Sequence, residues 1–271
     1  MPMQKLTTEA LVLRSVDFGE SDRVVHLLTP ETGRIAAIAK GARRSVKRFP
    51  GTLDFFNQLN VQLERKRSVA QLARLEHARL LRAFHGIREN AGRFALGCYL
   101  LELLDRLAPE GGRRGDLAAL YRFALDALGA IDVLPPEPRL RALLELRLLA
   151  AVGLRPELAH CVRCGNAIST PRAQFWIADG GTICETCTLP HEQGIPIHLG
   201  TLRALEQSLA FPLAHSGRIA LSETALREAQ TVIGRFLRFH VGVELRSESF
   251  LTERLTPQRA DERLRPLRGP A

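Results

Sequence analysis

Aromatic residues are scarce in this chain. It has one tryptophan and two tyrosines, and phenylalanine, tyrosine and tryptophan together make up 6% of it. Cysteine is almost confined to one place: four of the five cysteines lie between residues 161 and 187. An extracellular disulfide framework spreads its cysteines along a short chain, so this distribution argues against one and favours metal ligands or redox thiols. No apolar run approaches the roughly eighteen residues of a membrane span. The opening MPMQKLTTEALVLRS has no long apolar core and no small-residue cleavage site, so it predicts no secretory signal and a cytoplasmic protein. Catalytic signatures are missing too. There is no GxxxxGK, no GxGxxG after a strand, no GxSxG and no HExxH, and the eight histidines are scattered. The Glu20-Ser21-Asp22 cluster of carboxylates reads as a hairpin turn. These absences point to a binding protein and away from an enzyme.

Positive charge, by contrast, is plentiful and uneven. Residues 1–82 carry 15 Lys and Arg against 8 Asp and Glu, which is +7 of the chain's formal +9. Such a field favours a polyanionic partner, such as nucleic acid, an acidic protein or an anionic membrane surface. Its most concentrated stretch is AKGARRSVKRFPG. Lys40, Arg43, Arg44, Lys47 and Arg48 fall within nine residues that contain no acid, and Arg65, Lys66 and Arg67 form a second cluster. A basic loop between strands can follow a phosphate backbone. The competing reading is a solvated charge run. Phe49, Phe55 and Phe56 are candidates for base stacking, although core positions are the commoner fate of such residues.

Hydropathy patterning divides the chain. TEALVLRSV, RVVHLLT and IAAIAKGA are apolar, strand-like runs between turns, and LDFFNQLNVQLER and VAQLARLEHARL alternate apolar and polar residues in places, as half-buried strands do. The last is also rich in helix formers. Five short strands predict a small closed barrel of the OB type. Beyond residue 82 the period becomes helical. One long helix is predicted over GIRENAGRFALGCYLLELLDRLA, and Asp116 is expected to cap the next. A third is expected to end at Gly153, and two more follow, the latter capped by Ser222. The expected organisation is α+β. It comprises an N-terminal five-stranded OB-fold barrel (1–82), an α-helical domain (83–250) carrying a zinc-ribbon-like insertion (158–192), and a polar tail (251–271) that is disordered or loosely packed.

The cysteine spacing is CxxC, nineteen residues, then CxxC. A CxxC knuckle aims two sulfurs at one point, and a second knuckle closes a tetrahedral site. Cys161, Cys164, Cys184 and Cys187 are thus expected to bind one structural Zn²⁺, with Gly165, Gly180 and Gly181 allowing the turns. Redox pairs or empty thiols are the alternatives. His160 and His191 flank the cluster but face an already filled ligand set. Cys98, in a helical segment, reads as a small core side chain. Taken alone, these residues describe a zinc-containing nucleic-acid binder.

Two longer stretches carry a resemblance. TEALVLRSVDFGESDRVVHLLTPETGRIAAIAKGARRSVKRFPG is similar to the N-terminal segment of the bacterial RecO family. YLLELLDRLAPEG, LRALLELRLLAAVGLRPELAHCVRCG, GGTICETC and LRSESFL resemble that family's later landmarks in the same order. The resemblance covers about residues 6–251. It implies a non-enzymatic recombination mediator in DNA repair. Such a protein binds single- and double-stranded DNA, anneals complementary strands, and acts with RecR to load RecA onto DNA covered by single-strand-binding protein, whose acidic C-terminal tail it contacts. It also implies a cytoplasmic, nucleoid-associated location. For the DNA path the candidate residues are Arg14, Arg23, Arg34, Lys40, Arg43, Arg44, Lys47, Arg48, Arg65, Lys66 and Arg67. Two rivals stand beside it. One is a zinc-stabilised protein-interaction scaffold whose basic barrel docks an acidic partner without DNA, and the other is a hydrolase using zinc.

Overall fold

The computed structural model describes residues 4–45, 47–65, 72–189, 191–219, 221–242 and 245–255. Five strands close into a barrel in the order β1 (Gln4–Phe18), β2 (Asp22–Thr29), β3 (Gly33–Ala39), β5 (Ala73–Ala83), β4 (Asn57–Arg65). All pairings are antiparallel except β3 with β5. This is an OB-like barrel. Strand β5 settles the ambiguity of its Ala- and Leu-rich sequence: cross-strand pairing with β4 along almost its whole length overrides local helix propensity.

The barrel interior is filled by Ala10, Val12, Val25, Leu27, Ile35, Ala37, Leu59, Val61, Leu63 and Leu75. Three outward-facing leucines, Leu11, Leu13 and Leu28, are also buried, because they join the core of the helical domain. That second core is built by α1 (His85–Glu89), α2 (Ala91–Leu107), α3 (Arg114–Val133), α4 (Pro138–Ala151), α5 (Leu199–Ala210), α6 (Glu223–Val241) and α7 (Arg246–Leu255). Phe56 anchors the junction. It is fully buried, packs edge-on against Phe94 at 5.5 Å and lies so close to Gly97 that a Cβ there would stand 2.7 Å from its ring. Its φ of 61° is left-handed, a conformation that a bulky residue holds only when its surroundings impose it.

Helix α4 is buried all round and sits at the centre of the helical domain. One of its buried residues is Glu145, which accepts hydrogen bonds from Tyr99 Oη (2.6 Å) and Arg141 Nε (2.7 Å). Arg141 also reaches Glu248 of α7 at 3.2 Å. The buried charge is thus paired and hydrogen-bonded, as its location requires.

Several local expectations need correcting. The long helix expected from Gly86 is broken at Asn90, whose extended backbone and side chain cap α2 by accepting from Gly92 and Arg93 N–H. Asp116 is not an N-cap: α3 starts at Arg114, and Asp116 lies in its first turn, where its charge complements the helix dipole. Gly153 falls one position beyond the α4 cap, Val152. Its φ of +82° supports a Schellman closure, in which Gly153 N–H donates to Ala150 O and Leu154 N–H to Leu149 O. Ser222 caps α6 as expected. Helix α7 continues past the boundary set at residue 251, and the rest of the expected tail, 256–271, lies outside the described residues.

Candidate metal centre and nucleic-acid interface

The cysteine segment folds as a three-stranded sheet in the order β7 (Gly181–Ile183), β6 (Arg172–Trp176), β8 (Ile195–His198). Strand β8 lies beyond the 158–192 insertion expected from the cysteine spacing. The sheet is tied to α6 by Phe175, whose ring meets Phe236 edge-on at 5.6 Å. The first knuckle closes through Gly165, with φ +74°. Gly165 N–H donates to Cys161 O, and Cys161 N–H donates to Asn166 O, each at 2.8 Å. The second closes through Cys187 N–H to Cys184 O at 3.1 Å.

All four Sγ atoms lie within 4.8 Å of one another, and Cys164 and Cys184 are 3.8 Å apart. A tetrahedron with metal–sulfur bonds of about 2.3 Å has edges of about 3.8 Å. Burial opposes ionisation of Cys161, but the backbone N–H groups of Cys184, Cys164 and Arg163 outweigh it and bring the thiol down to about 6. Thr186 likewise lowers Cys184. Cys187 is pushed up to about 12, because it shares hydrogen bonds with Cys184 and Cys164. Four thiolates this close repel one another unless a cation sits among them. The cluster can hold one metal ion. His160 instead lies beside Glu157 at 3.5 Å, and neither it nor His191 joins the sulfurs. Arg163 braces the returning chain by pairing with Glu192 at 2.7 Å, which brings that carboxyl down to about 2.

The basic loop is not a free charge run. Asp22 accepts from Gly41 N–H at 2.8 Å, and this bond, with Ser21 and Lys40 adding to it, holds its carboxyl below the usual range. Arg43 N–H donates to Ser21 O (3.0 Å), its guanidinium to Glu20 O (3.2 Å), and it pairs with Asp17 at 3.4 Å. Arg48 donates to Lys40 O at 2.6 Å and lies over the Phe49 ring. The bonds of Gly41 and Arg43 clamp the loop onto the β1–β2 turn, and Arg48 ties its far end back to Lys40. The Glu-Ser-Asp turn that the sequence shows is therefore the clamp's seat.

The eleven candidate cations consequently divide. Lys40, Arg44 and Lys47 are exposed and make no ion pair among the described residues. Arg14 and Arg65 are also exposed and make no ion pair among the described residues, but Arg14 lies on the side of the barrel that meets α2, near Asp105, and Arg65 ends β4 beside Glu31 and Glu110. Arg23 is paired with Asp17 at 2.9 Å. Arg34 is turned to the helical domain, where it binds Asp105 at 3.4 Å and Glu110. Lys66 and Arg67 lie outside the described residues. Of the candidate stacking residues, Phe49 and Phe56 are buried and Phe55 is half-buried.

The model for the recombination protein O N-terminal domain matches residues 3–84, and that for the C-terminal domain matches 88–249. The chain belongs to the recombination protein O family. It is 36% identical over 251 residues to the DNA repair protein RecO of Anaeromyxobacter dehalogenans strain 2CP-C, covering 93% of this chain and 97% of that protein. It is 33% identical over 254 residues to the DNA repair protein RecO of Myxococcus xanthus, with 93% and 98% covered. With the Pelobacter propionicus protein of the same name it shares 34% over 245 residues, covering 90% and 95%. The family boundary between residues 84 and 88 coincides with the end of β5 and the start of α1. Among the described residues, no helix is long and apolar enough to cross a membrane.

Proposed function

We propose that this protein is a DNA-binding recombination mediator in DNA repair. The barrel holds phosphate backbones of single- and double-stranded DNA on the clamped loop, and neutralising two backbones at once lowers their repulsion and lets complementary strands anneal. The observation that carries this reading is the trio Lys40, Arg44 and Lys47: exposed, making no ion pair among the described residues, on a loop that Gly41 and Arg43 tie to the β1–β2 turn. No bond is made or broken in this role, so it needs no catalytic residue. The test is a strand-annealing assay with Lys40, Arg44 and Lys47 replaced by alanine. Annealing should fall at least tenfold while folding is unchanged, and unaltered annealing would remove the loop from the function.

The Cys161, Cys164, Cys184 and Cys187 site is assigned to one Zn²⁺, because four thiolates suit that ion and close its coordination shell, leaving a structural role. That distinguishes the proposal from zinc-dependent hydrolysis, which needs an open position on the metal.

A peptide partner is supported by a separate groove of about 620 Å³. Phe123, Leu125 and Leu213 supply apolar surface, and Arg82, Arg122 and Arg147 surround it. Three arginines against one acid, Asp126, leave this apolar groove net positive, which suits the acidic, apolar-ended tail of single-strand-binding protein, with RecR and RecA acting in the same cytoplasmic, nucleoid-associated process. Tethering to that tail raises the mediator's local concentration on covered DNA. Calorimetry with the tail peptide should show binding that Arg122→Ala weakens. An absence of binding at low salt would contradict it.

A further inference from the structure

Strand β1 changes faces part-way along. Before residue 13, Ala10 and Val12 point into the barrel. The register with β2 then shifts between Val12 and Arg14, which marks a bulge at Leu13. Beyond it, the residue opposite the inward Val25 is Ser15, so Arg14, Val16 and Phe18 lie on the outer face. Without the bulge, strict alternation would have carried these even-numbered residues inward.

The result is an apolar row on the outside of the barrel. Val16 pairs with Val24, and Val24 with Ile38 on β3. Phe18 stands at the end of β1, directly opposite Asp22, the residue whose carboxylate holds Gly41 of the basic loop. Phe18 is 57% exposed and Val16 is 44% exposed. An exposed phenyl group at the root of a clamped cationic loop is a juxtaposition that no part of the packing explains.

We infer that Phe18 is a stacking platform for a base of single-stranded DNA, with the flanking phosphates on Lys40, Arg44 and Lys47. The inference deepens the DNA-binding reading above and rests on it. The patch is small, comprising Phe18 and the valine–isoleucine row beside it. Asp22 opposite Phe18 is bonded to Gly41 of the loop that carries Lys40, Arg44 and Lys47, and Asp17 beside Phe18 is neutralised by Arg23 and Arg43. An unpaired nucleotide offers the matching combination of a flat apolar face and an anion. The bases of a duplex are already stacked on one another, so Phe18 adds affinity for single strands only, whatever their sequence. A protein partner covering the same row would have no need of the cations.

The experiment uses the full chain with Phe18→Ala and Phe18→Trp, and three probes: oligothymidine, an abasic deoxyribose-phosphate oligomer of equal length, and a duplex. Phe18→Ala should bind oligothymidine roughly tenfold more weakly, bind the abasic oligomer and duplex as the parent does, and keep the parent's salt dependence. Phe18→Trp should restore affinity, and its emission should be quenched by oligothymidine and not by the abasic oligomer. Parent-like binding of oligothymidine by Phe18→Ala, or an equal loss on all three probes, overturns the inference while leaving salt-dependent DNA binding intact. Unchanged DNA binding with lost association to a second protein overturns it in favour of a protein contact. If the parent protein binds none of the probes, the DNA-binding reading itself fails, and this inference with it.

Discussion

His26 Nδ1 on β2 lies 2.7 Å from Asp105 Oδ1 on α2, and this contact between residues 79 apart in sequence joins the barrel to the helical domain. Arg34 reaches the same carboxylate at 3.4 Å. Arg34 N–H also donates to Pro109 O at 2.8 Å, and a Cβ on the neighbouring Gly33 would stand 2.3 Å from that oxygen. The docking is therefore specified by backbone and side chain together.

Burial works against ionisation of Asp105, but His26, Arg34 and Arg14 outweigh it and hold its carboxyl below the usual range. A carboxyl depressed in the folded state contributes stability above its unfolded value, near pH ~3.9, and loses that contribution as pH falls through the folded value. Asp105→Asn should destabilise the protein at pH 7 by about 1–3 kcal/mol, and the difference from the parent should shrink below pH ~4. Denaturant unfolding at both pH values checks this. A variant deficit that stays constant as pH falls through that range would contradict the charge-based account.

Arg141 is the cation that Glu145 depends on inside α4. Arg141→Ala should cost about 3–5 kcal/mol, since it leaves a buried carboxylate without its partner. Pairing the change with Glu145→Leu should recover much of the loss. Unfolding free energies of the two single variants and the double variant measure the coupling.

The cysteine cluster predicts one metal ion per chain. Stepwise titration of the thiols should release one equivalent of zinc, detected with a colorimetric chelator. Cys161→Ser should lower stability on the order of 4 kcal/mol, the large end for single substitutions, while salt-dependent DNA binding persists because the barrel has its own core. A Cys161→Ser protein of parent stability would show that the metal holds nothing together.

The extent to which the sequence discloses this molecule varies with the range of the forces involved. Alternation reveals β4, where Leu59, Val61 and Leu63 are buried between the more exposed Gln58, Asn60, Gln62 and Glu64. The CxxC knuckles are local as well, and their spacing determines the sulfur cluster. The bulge at Leu13 is not legible, since it changes which face of β1 is wet without changing composition, and the outward position of Phe18 is hidden with it. Nor is the fate of Arg34, whose acidic partners come from α2 and the segment after it. Asn90 looks like any polar residue within a helical period until its side chain is seen capping α2. Charge clustering identifies the loop, but separating Lys40, Arg44 and Lys47 from Arg43 and Arg48 requires the clamp to be seen.

The central claim is that three unpaired cations on a fixed loop neutralise DNA phosphates. Its most direct test is the salt dependence of single-stranded DNA binding by the parent and by the Lys40, Arg44 and Lys47 triple alanine variant. Each phosphate contact contributes about 0.7 to the slope of log affinity against log salt, so the variant's slope should flatten by about 2, and by a similar amount for every DNA sequence. An unchanged slope and unchanged affinity would contradict the account and place the DNA elsewhere on the protein.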